Sequence, residues 1–344
     1  MTVRINLALQ GGGAHGSFTW GVLERLLEEE DIEVAAISGT SAGAMNGAAF
    51  KAGWAKGGRE GARAELEELW SAAGALTDPS WAAWLKALAP GTGVLAELLE
   101  ASPGWQAFNA ATQTFSPYVT GPLVRNPLQR LIEVLDFSAV QSGDGPELHV
   151  CATNVRTGKI RIFTGSEITQ QALLASACLP TLFRAVEIED PATGRTEAYW
   201  DGGYAGNPAL FPLFPQHLPD DVLIVSINPF VREELPRDAL DIANRVNEIS
   251  FNSSLLRELR AIAFVKRLIA NGQVQRGAMK DVLVHMVGDD GLMNDLNIAT
   301  KTIPVPVILA RLRAAGRTAM ERFLRAHKGD LGRQGTVDVA SMLA

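Results

Sequence analysis

Gly39-Thr40-Ser41-Ala42-Gly43 sets a serine between small residues, after a buried apolar run (Val34 to Ile37) and ahead of a small-residue helix through Phe50. A G-x-S-x-G turn in that position presents the serine hydroxyl at a sheet edge, where it can attack a carbonyl carbon. Alone the pentapeptide is a moderate signal, because glycine-rich turns with a central serine are common. Gly11-Gly12-Gly13-Ala14-His15-Gly16 follows another apolar run, Ile5 to Leu9. Its consecutive backbone N–H groups, unobstructed by side chains at the positive end of the next helix, suit an oxyanion or a phosphate. Asp201-Gly202-Gly203 lies just beyond a third run, Ala198 to Trp200. The paired glycines let the chain bend tightly and bring a carboxylate toward a neighbouring loop, although a lone aspartate there is more often a turn residue.

These three motifs need a scaffold that ends strands beside one another. Ile5 to Leu9 leads through the first glycine turn into Phe18, Val22, Leu23, Leu26 and Leu27 at helical spacing, and Val34 to Ile37 repeats the pattern into the Ser41 turn. Two successive strand-turn-helix units imply a parallel α/β sheet. Residues 54 to about 125 break the rhythm with Trp54, Trp70, Trp81, Trp84 and Trp105 and several Pro/Gly breaks, and read as a helical and loop insertion over the sheet. Its tryptophans would form the wall or lid of a pocket beside the sheet, or else fill the core of a helical subdomain.

Beyond the insertion, strands are expected at Leu148 to Asn154 and Lys159 to Thr164, a helix at Glu167 to Cys178, and a hairpin from Val186–Ile188 and Ala198–Trp200. Val222 to Ile227 reads as a further buried strand, residues 238 to 271 as helical, and Asp281 to Val287 as a last strand. Pro304 to His327 mixes apolar residues with Arg311, Arg313, Arg317, Arg322 and Arg325. Such a helix either lies on anionic membrane or is an ordinary solvated surface helix.

Composition bounds the function. The chain has 344 residues, 47% hydrophobic and 20% charged, enough for an enclosed active site in a folded core. A net charge of -7 without a basic stripe argues against a nucleic-acid partner. Cys151 and Cys178 lack metal-type spacing and read as unpaired structural thiols of a reduced compartment. The opening residues do not read as a signal peptide, and no apolar stretch approaches about eighteen residues. The expectation is a cytoplasmic protein able to contact membrane peripherally. No H-E-x-x-H or paired Cys/His spacing suggests a metal, Asp289-Asp290-Gly291 falls short of a calcium loop, and no cofactor is expected.

Taken together and in this order, Gly11-Gly12-Gly13-Ala14-His15-Gly16, Gly39-Thr40-Ser41-Ala42-Gly43 and Asp201-Gly202-Gly203 resemble the patatin-like phospholipase family, and Ser176-Ala177-Cys178-Leu179-Pro180 looks like the family's segment ahead of the hairpin. The resemblance covers most of residues 5 to 228, least well in the tryptophan-rich part. It implies a three-layer α/β/α catalytic domain over residues 1–230, with residues 231–344 a mostly helical extension packed on it. It implies hydrolysis of lipid acyl esters by a Ser-Asp dyad: Ser41 attacks, Asp201 takes its proton, and the N–H groups of Gly11, Gly12 and Gly13 hold the oxyanion. Gly16, Gly39, Gly43, Gly202 and Gly203 support the motifs. One departure stands out, since the family commonly has Arg or Lys where this chain has His15, whose charge would follow pH.

Other readings stay open at this level. An acyl-Ser41 could be passed to an alcohol or thiol instead of water, or the fold could bind lipid without turnover. His217 and His285 follow Asp201, so a Ser-Asp-His order is also available, although the Gly-Gly after Asp201 would then have no special purpose. Gly11, Gly13 and Gly16 match a dinucleotide-loop spacing, but Asp31 and Glu33 precede the second strand and no acidic residue clearly ends it.

Overall fold

Ile5 to Leu9 are buried without alternation, as a strand covered on both faces requires. In the computed structural model, which describes residues 2–77, 91–120, 126–237, 239–275 and 277–343, this run is the middle of an eight-stranded sheet. The strands are β1 (Val3–Leu9), β2 (Ile32–Thr40), β3 (Glu147–Asn154), β4 (Ile160–Thr164), β5 (Val186–Asp190), β6 (Arg195–Asp201), β7 (Asp221–Val225) and β8 (Leu283–Val287). They lie in the order β5-β6-β3-β2-β1-β7-β8, with β4 pairing β3. The five strands β3, β2, β1, β7 and β8 run parallel, while β4, β5 and β6 pair antiparallel. Helices cover both faces, giving the expected three-layer α/β/α arrangement.

The second strand is longer than its apolar core suggests. Pairing with β1 and β3 carries it from Ile32 through Gly39 and Thr40, so that it ends at the residue before Ser41. Helix α1 (Gly16–Leu26) follows the first glycine turn, and helix α2 (Ala42–Gly74) follows Ser41.

The expected helical and loop insertion over residues 54 to about 125 does not begin at a break after Phe50. Helix α2 runs past Phe50 to Gly74, leaving helical geometry only at Gly57 and Gly58. Trp54 stacks on Phe50 with ring centroids 5.7 Å apart, and Trp70 stacks on Trp20 at 6.5 Å. Both rings therefore belong to the packing around the sheet's own helices. Trp105 is buried beside Phe108 on the helix Pro103–Thr114. Trp81 and Trp84 lie outside the described residues.

The helix Pro306–His327 buries Ile308, Leu312, Met320 and Phe323 and crosses α1 closely where Gly21 and Gly316 face the opposing backbone. Arg313 pairs with Glu24 and Arg317 with Glu28, both at 2.7 Å, and the Arg313 guanidinium lies 3.9 Å over the Trp20 ring. Its apolar face is thus covered by protein and these two arginines are paired, so this helix reads as an ordinary surface helix and not as a membrane-lying one. Among the described residues no helix is long and apolar enough to cross a membrane.

Candidate active site

The edge of β3 brings the serine and aspartate motifs together. Antiparallel β4 occupies one edge of β3 from His149 to Thr153, which leaves β2 and β6 to share the other. Thr40 pairs with Cys151 and Asp201 pairs with the next residue, Ala152. The last residue of β2 and the last residue of β6 therefore meet end to end, with Ser41 following the one. Gly202 completes the junction: a Cβ there would stand 2.2 Å from the Cys151 carbonyl oxygen, so no larger residue could follow Asp201 at this spacing.

Ser41 has φ 54° and ψ -122°, the only positive φ found outside glycine among the described residues. A serine held there stores backbone strain of order 1–3 kcal/mol, which surrounding bonds must offset. Its N–H donates to Ser176 Oγ at 2.9 Å and its carbonyl accepts from Met45 N–H at 3.0 Å. Gly43 permits the turn, since a Cβ on it would come within 2.2 Å of the Leu9 carbonyl oxygen, and a Cβ on Gly39 would meet the Gly43 carbonyl oxygen at 2.6 Å.

Asp201 is buried, and among the described residues no cation pairs with it. Its carboxylate Oδ1 accepts the Gly203 N–H at 2.7 Å, its own N–H donates to the Cys178 carbonyl at 2.8 Å, and Thr153 Oγ1 donates to its carbonyl at 2.8 Å. Burial pushes its carboxyl up to about 7, opposed by the Gly203 N–H and by interaction with the Ser41 hydroxyl. A carboxyl poised near neutrality beside a hydroxyl is a competent proton acceptor.

The glycine loop lies across from this pair. Gly11 N–H donates to Asn207 Oδ1 at 2.6 Å, so the expectation that all three glycines offer free donors is corrected at Gly11. Among the described residues no hydrogen bond takes up the N–H of Gly12 or Gly13. The Gly11 carbonyl accepts from Asn228 Nδ2 at 2.7 Å and from Asn207 Nδ2 at 3.4 Å. Gln10 Oε1 in turn accepts the N–H groups of Ile227 and Asn228 at 2.9 and 3.0 Å. Gly16 opens α1 and its carbonyl accepts Asn46 Nδ2 at 3.0 Å, while the same amide group donates to Ala42 O at 3.0 Å. Asn46 thereby ties the helix after the glycine loop to the helix after Ser41.

His15 does not titrate as a surface residue would. It is almost fully buried, its Nε2 lies 2.8 Å from Thr300 Oγ1, and burial with the nearby Lys301 and Arg232 charges holds its pKa well below the usual 6.5. The imidazole is neutral through the neutral pH range, so its charge does not follow pH there as expected. The remaining histidines have other partners: His217 with Glu147 at 2.8 Å, buried His285 with Asp221 at 3.0 Å, His327 with Asp330 at 2.9 Å, and His149 beside Glu147 at 3.8 Å. None is a hydrogen-bond partner of Ser41 or Asp201 among the described residues. Cys151 and Cys178 are free and buried, and burial pushes the Cys178 thiol up to about 12.

Sequence reasoning passes over Asn207, Asn228, Gln10 and the role of Ser176. A signal exists for two of them, because Asn207-Pro208 and Asn228-Pro229 repeat one dipeptide and both asparagines reach the Gly11 peptide. No group of three or more His, Cys, Asp or Glu among the described residues is placed to hold a metal ion.

No curated protein matches the chain. Among solved structures, the crystal structure of VipD from Legionella pneumophila is similar over 94% of this chain and 67% of that one, with a TM-score of 0.42 and 17% sequence identity. The model of the patatin-like phospholipases matches residues 7–214, more than half of the sequence and all three motifs. The chain therefore belongs to the patatin-like phospholipase family, whose members are lipid acyl hydrolases.

Proposed function

We propose that this protein hydrolyses carboxylic esters of lipids, as a phospholipase A, lysophospholipase or related lipid esterase, through an acyl-Ser41 intermediate. The observation that carries the reading is the meeting of Ser41, on a strained turn, with a buried Asp201 whose carboxyl is pushed up to about 7. Asp201 accepts the Ser41 proton as Oγ attacks the ester carbonyl carbon. The N–H groups of Gly12 and Gly13 receive the tetrahedral oxyanion, a contribution worth several kcal/mol in comparable sites. Collapse expels the alcohol, which takes the proton back from Asp201, and water deprotonated by the same carboxylate releases the fatty acid and restores Ser41. The arrangement needs no histidine and no metal ligand.

Exposed Phe108, Phe115, Tyr118 and Val119, on and after the helix Pro103–Thr114, support peripheral contact of the substrate-bearing surface with this part of the chain. A fluorophosphonate probe tests the reading whichever lipid is the substrate. Wild-type protein should be labelled at Ser41 and should release fatty acid from esters of graded chain length, whereas Ser41→Ala should do neither while remaining folded. Labelling at another residue, or hydrolysis by Ser41→Ala, would move the nucleophile elsewhere.

A further inference from the structure

Three cations, Lys301, Arg232 and Arg245, gather behind the glycine loop around one buried carboxylate, Glu248. Arg232 Nη2 lies 2.7 Å from Glu248 Oε1, Lys301 Nζ 3.5 Å from the same oxygen, and Arg245 Nη1 3.3 Å from Oε2. Asp241, on the exposed side, also acts on Arg232. The three cations are half-buried and share one buried carboxylate, so part of their charge is left to act on neighbouring groups. Lys301, Arg232, Arg245 and Glu248 all lie beyond residue 214, outside the part of the chain that the family model matches.

Lys301 has a direct route to the loop. Its Nζ donates to Asn228 Oδ1 at 3.4 Å, and Asn228 Nδ2 donates to the Gly11 carbonyl at 2.7 Å. A trans peptide is planar, so the carbonyl of Gly11 and the N–H of Gly12 point in opposite directions. Fixing the Gly11 oxygen on one side therefore aims the Gly12 N–H on the other. The ammonium demands the same orientation of the Asn228 amide as the Gly11 carbonyl and Gln10 Oε1 do, with the amide oxygen toward Lys301 and Nδ2 toward the loop. Each bond in such a chain polarises the next, so a positive charge at its head strengthens the donor at its tail. The Lys301 backbone seals the same corner, with its carbonyl oxygen 2.2 Å from where a Gly13 Cβ would be. His15, neutral and bonded to the neighbouring Thr300, supplies no charge here.

We propose that Lys301 is a positioning residue for the oxyanion hole, aiming and polarising the Gly12 N–H through the Asn228 amide and the Gly11–Gly12 peptide. This rests on Ser41 being the nucleophile and on Gly12 being an oxyanion donor. Side-chain substitution leaves the Lys301 backbone contact in place, so the idea can be tested without dismantling the loop. Lys301→Met keeps the length of the side chain and removes its charge, and it leaves Glu248 two arginine partners.

The experiment measures the second-order rate of Ser41 labelling by a fluorophosphonate, kcat and KM on a soluble short-chain ester, and the melting temperature, for wild type, Lys301→Met, Lys301→Arg, Asn228→Leu and the Lys301→Met/Asn228→Leu double variant. Lys301→Met should lose about tenfold in labelling rate and kcat, less than the roughly hundred- to thousandfold that follows removal of an oxyanion donor. KM should stay within about twofold, and the melting temperature should hold or rise as repulsion among the cations eases. Lys301→Arg should recover most of the loss. The double variant should be no slower than Asn228→Leu alone, because both changes break one relay.

Wild-type kcat and labelling in Lys301→Met, beside an inactive Ser41→Ala, would overturn the inference and leave the proposed function standing. Losses that multiply in the double variant, or a loss that appears only with a lower melting temperature and is not recovered by Arg, would also overturn it. Failure of wild-type protein to label at Ser41 would remove the proposed function and this inference with it.

Discussion

Ser176 Oγ accepts the backbone N–H of Ser41 at 2.9 Å, bracing the one residue outside glycine with positive φ among the described residues, at the position expected to do the chemistry. Replacing Ser176 by alanine leaves that buried N–H without a partner, a cost of roughly 1–3 kcal/mol. Ser176→Ala should therefore lower the melting temperature and reduce ester turnover by about tenfold, because the Ser41 turn relaxes away from Asp201. Calorimetry and steady-state kinetics on the same preparation check both. Unchanged values would mean that the turn holds itself.

The pH dependence follows from Asp201. With its carboxyl raised from the ordinary 3.8 to about 7, the base is protonated below neutrality, so kcat/KM should rise through a single limb centred near pH 7. His15 contributes no limb, since its imidazole is neutral there. The sign for stability is opposite. A group whose folded pKa lies above its unfolded value stabilises the fold at low pH and loses that contribution as pH rises through the folded value. Stability from Asp201 should thus fall between about pH 4 and pH 7. Asp201→Asn, which cannot ionise, should raise the melting temperature more at about pH 8 than at about pH 4, and an equal effect at both would contradict the raised value.

Gly12 and Gly13 should respond differently to alanine. Gly13 has φ 58°, and its Cβ would meet the Lys301 carbonyl oxygen at 2.2 Å, so Gly13→Ala should displace the loop and lose both stability and turnover. Gly12 has φ 172°, extended backbone open to any residue, and its Cβ would press on the movable end of Ile227 at 2.9 Å. Gly12→Ala should stay folded with a smaller loss of turnover. Melting curves and kcat for the pair decide this, and equal behaviour would mean that the loop is not shaped as described.

Trp70 belongs, by sequence position, to the stretch expected to shape an acyl pocket, and its contacts point to another task. Its Nε1 donates to Asn46 Oδ1 at 2.9 Å, holding the amide that bonds both Gly16 and Ala42. Trp70→Phe leaves a buried acceptor unsatisfied, at roughly 1–3 kcal/mol. Turnover of short and long esters should fall together, with no change in chain-length preference. A selective loss on long chains would return Trp70 to the pocket.

The legible parts of the sequence are those in which chemistry and local backbone agree. The strand-turn-helix units around Gly11–Gly16 and Ser41 depend on apolar runs and small residues that leave a local mark, and the carboxylate at Asp201 is marked by Gly202-Gly203. What stays hidden depends on pairing across the chain. Nothing near residue 201 says that β6 shares an edge of β3 with β2, and nothing near residue 301 says that its ammonium reaches Asn228. The Gly11 N–H looks available in sequence because its acceptor, Asn207, lies 196 residues away. Trp54 and Trp70 escape correct placement because the small-residue helix reads as ending at Phe50, whereas it runs on to Gly74 and leaves helical geometry only at Gly57 and Gly58.

The central claim is that Asp201 is the direct base for Ser41, and the most direct measurement is kcat/KM of purified, folded Asp201→Asn on a soluble ester, beside wild type and His217→Ala. The amide has nearly the shape of the carboxylate and cannot take a proton, so turnover should fall by roughly 10²–10⁴-fold while His217→Ala keeps most of it. Near wild-type turnover in Asp201→Asn, or a loss in His217→Ala as deep as that expected for Asp201→Asn, would contradict the dyad.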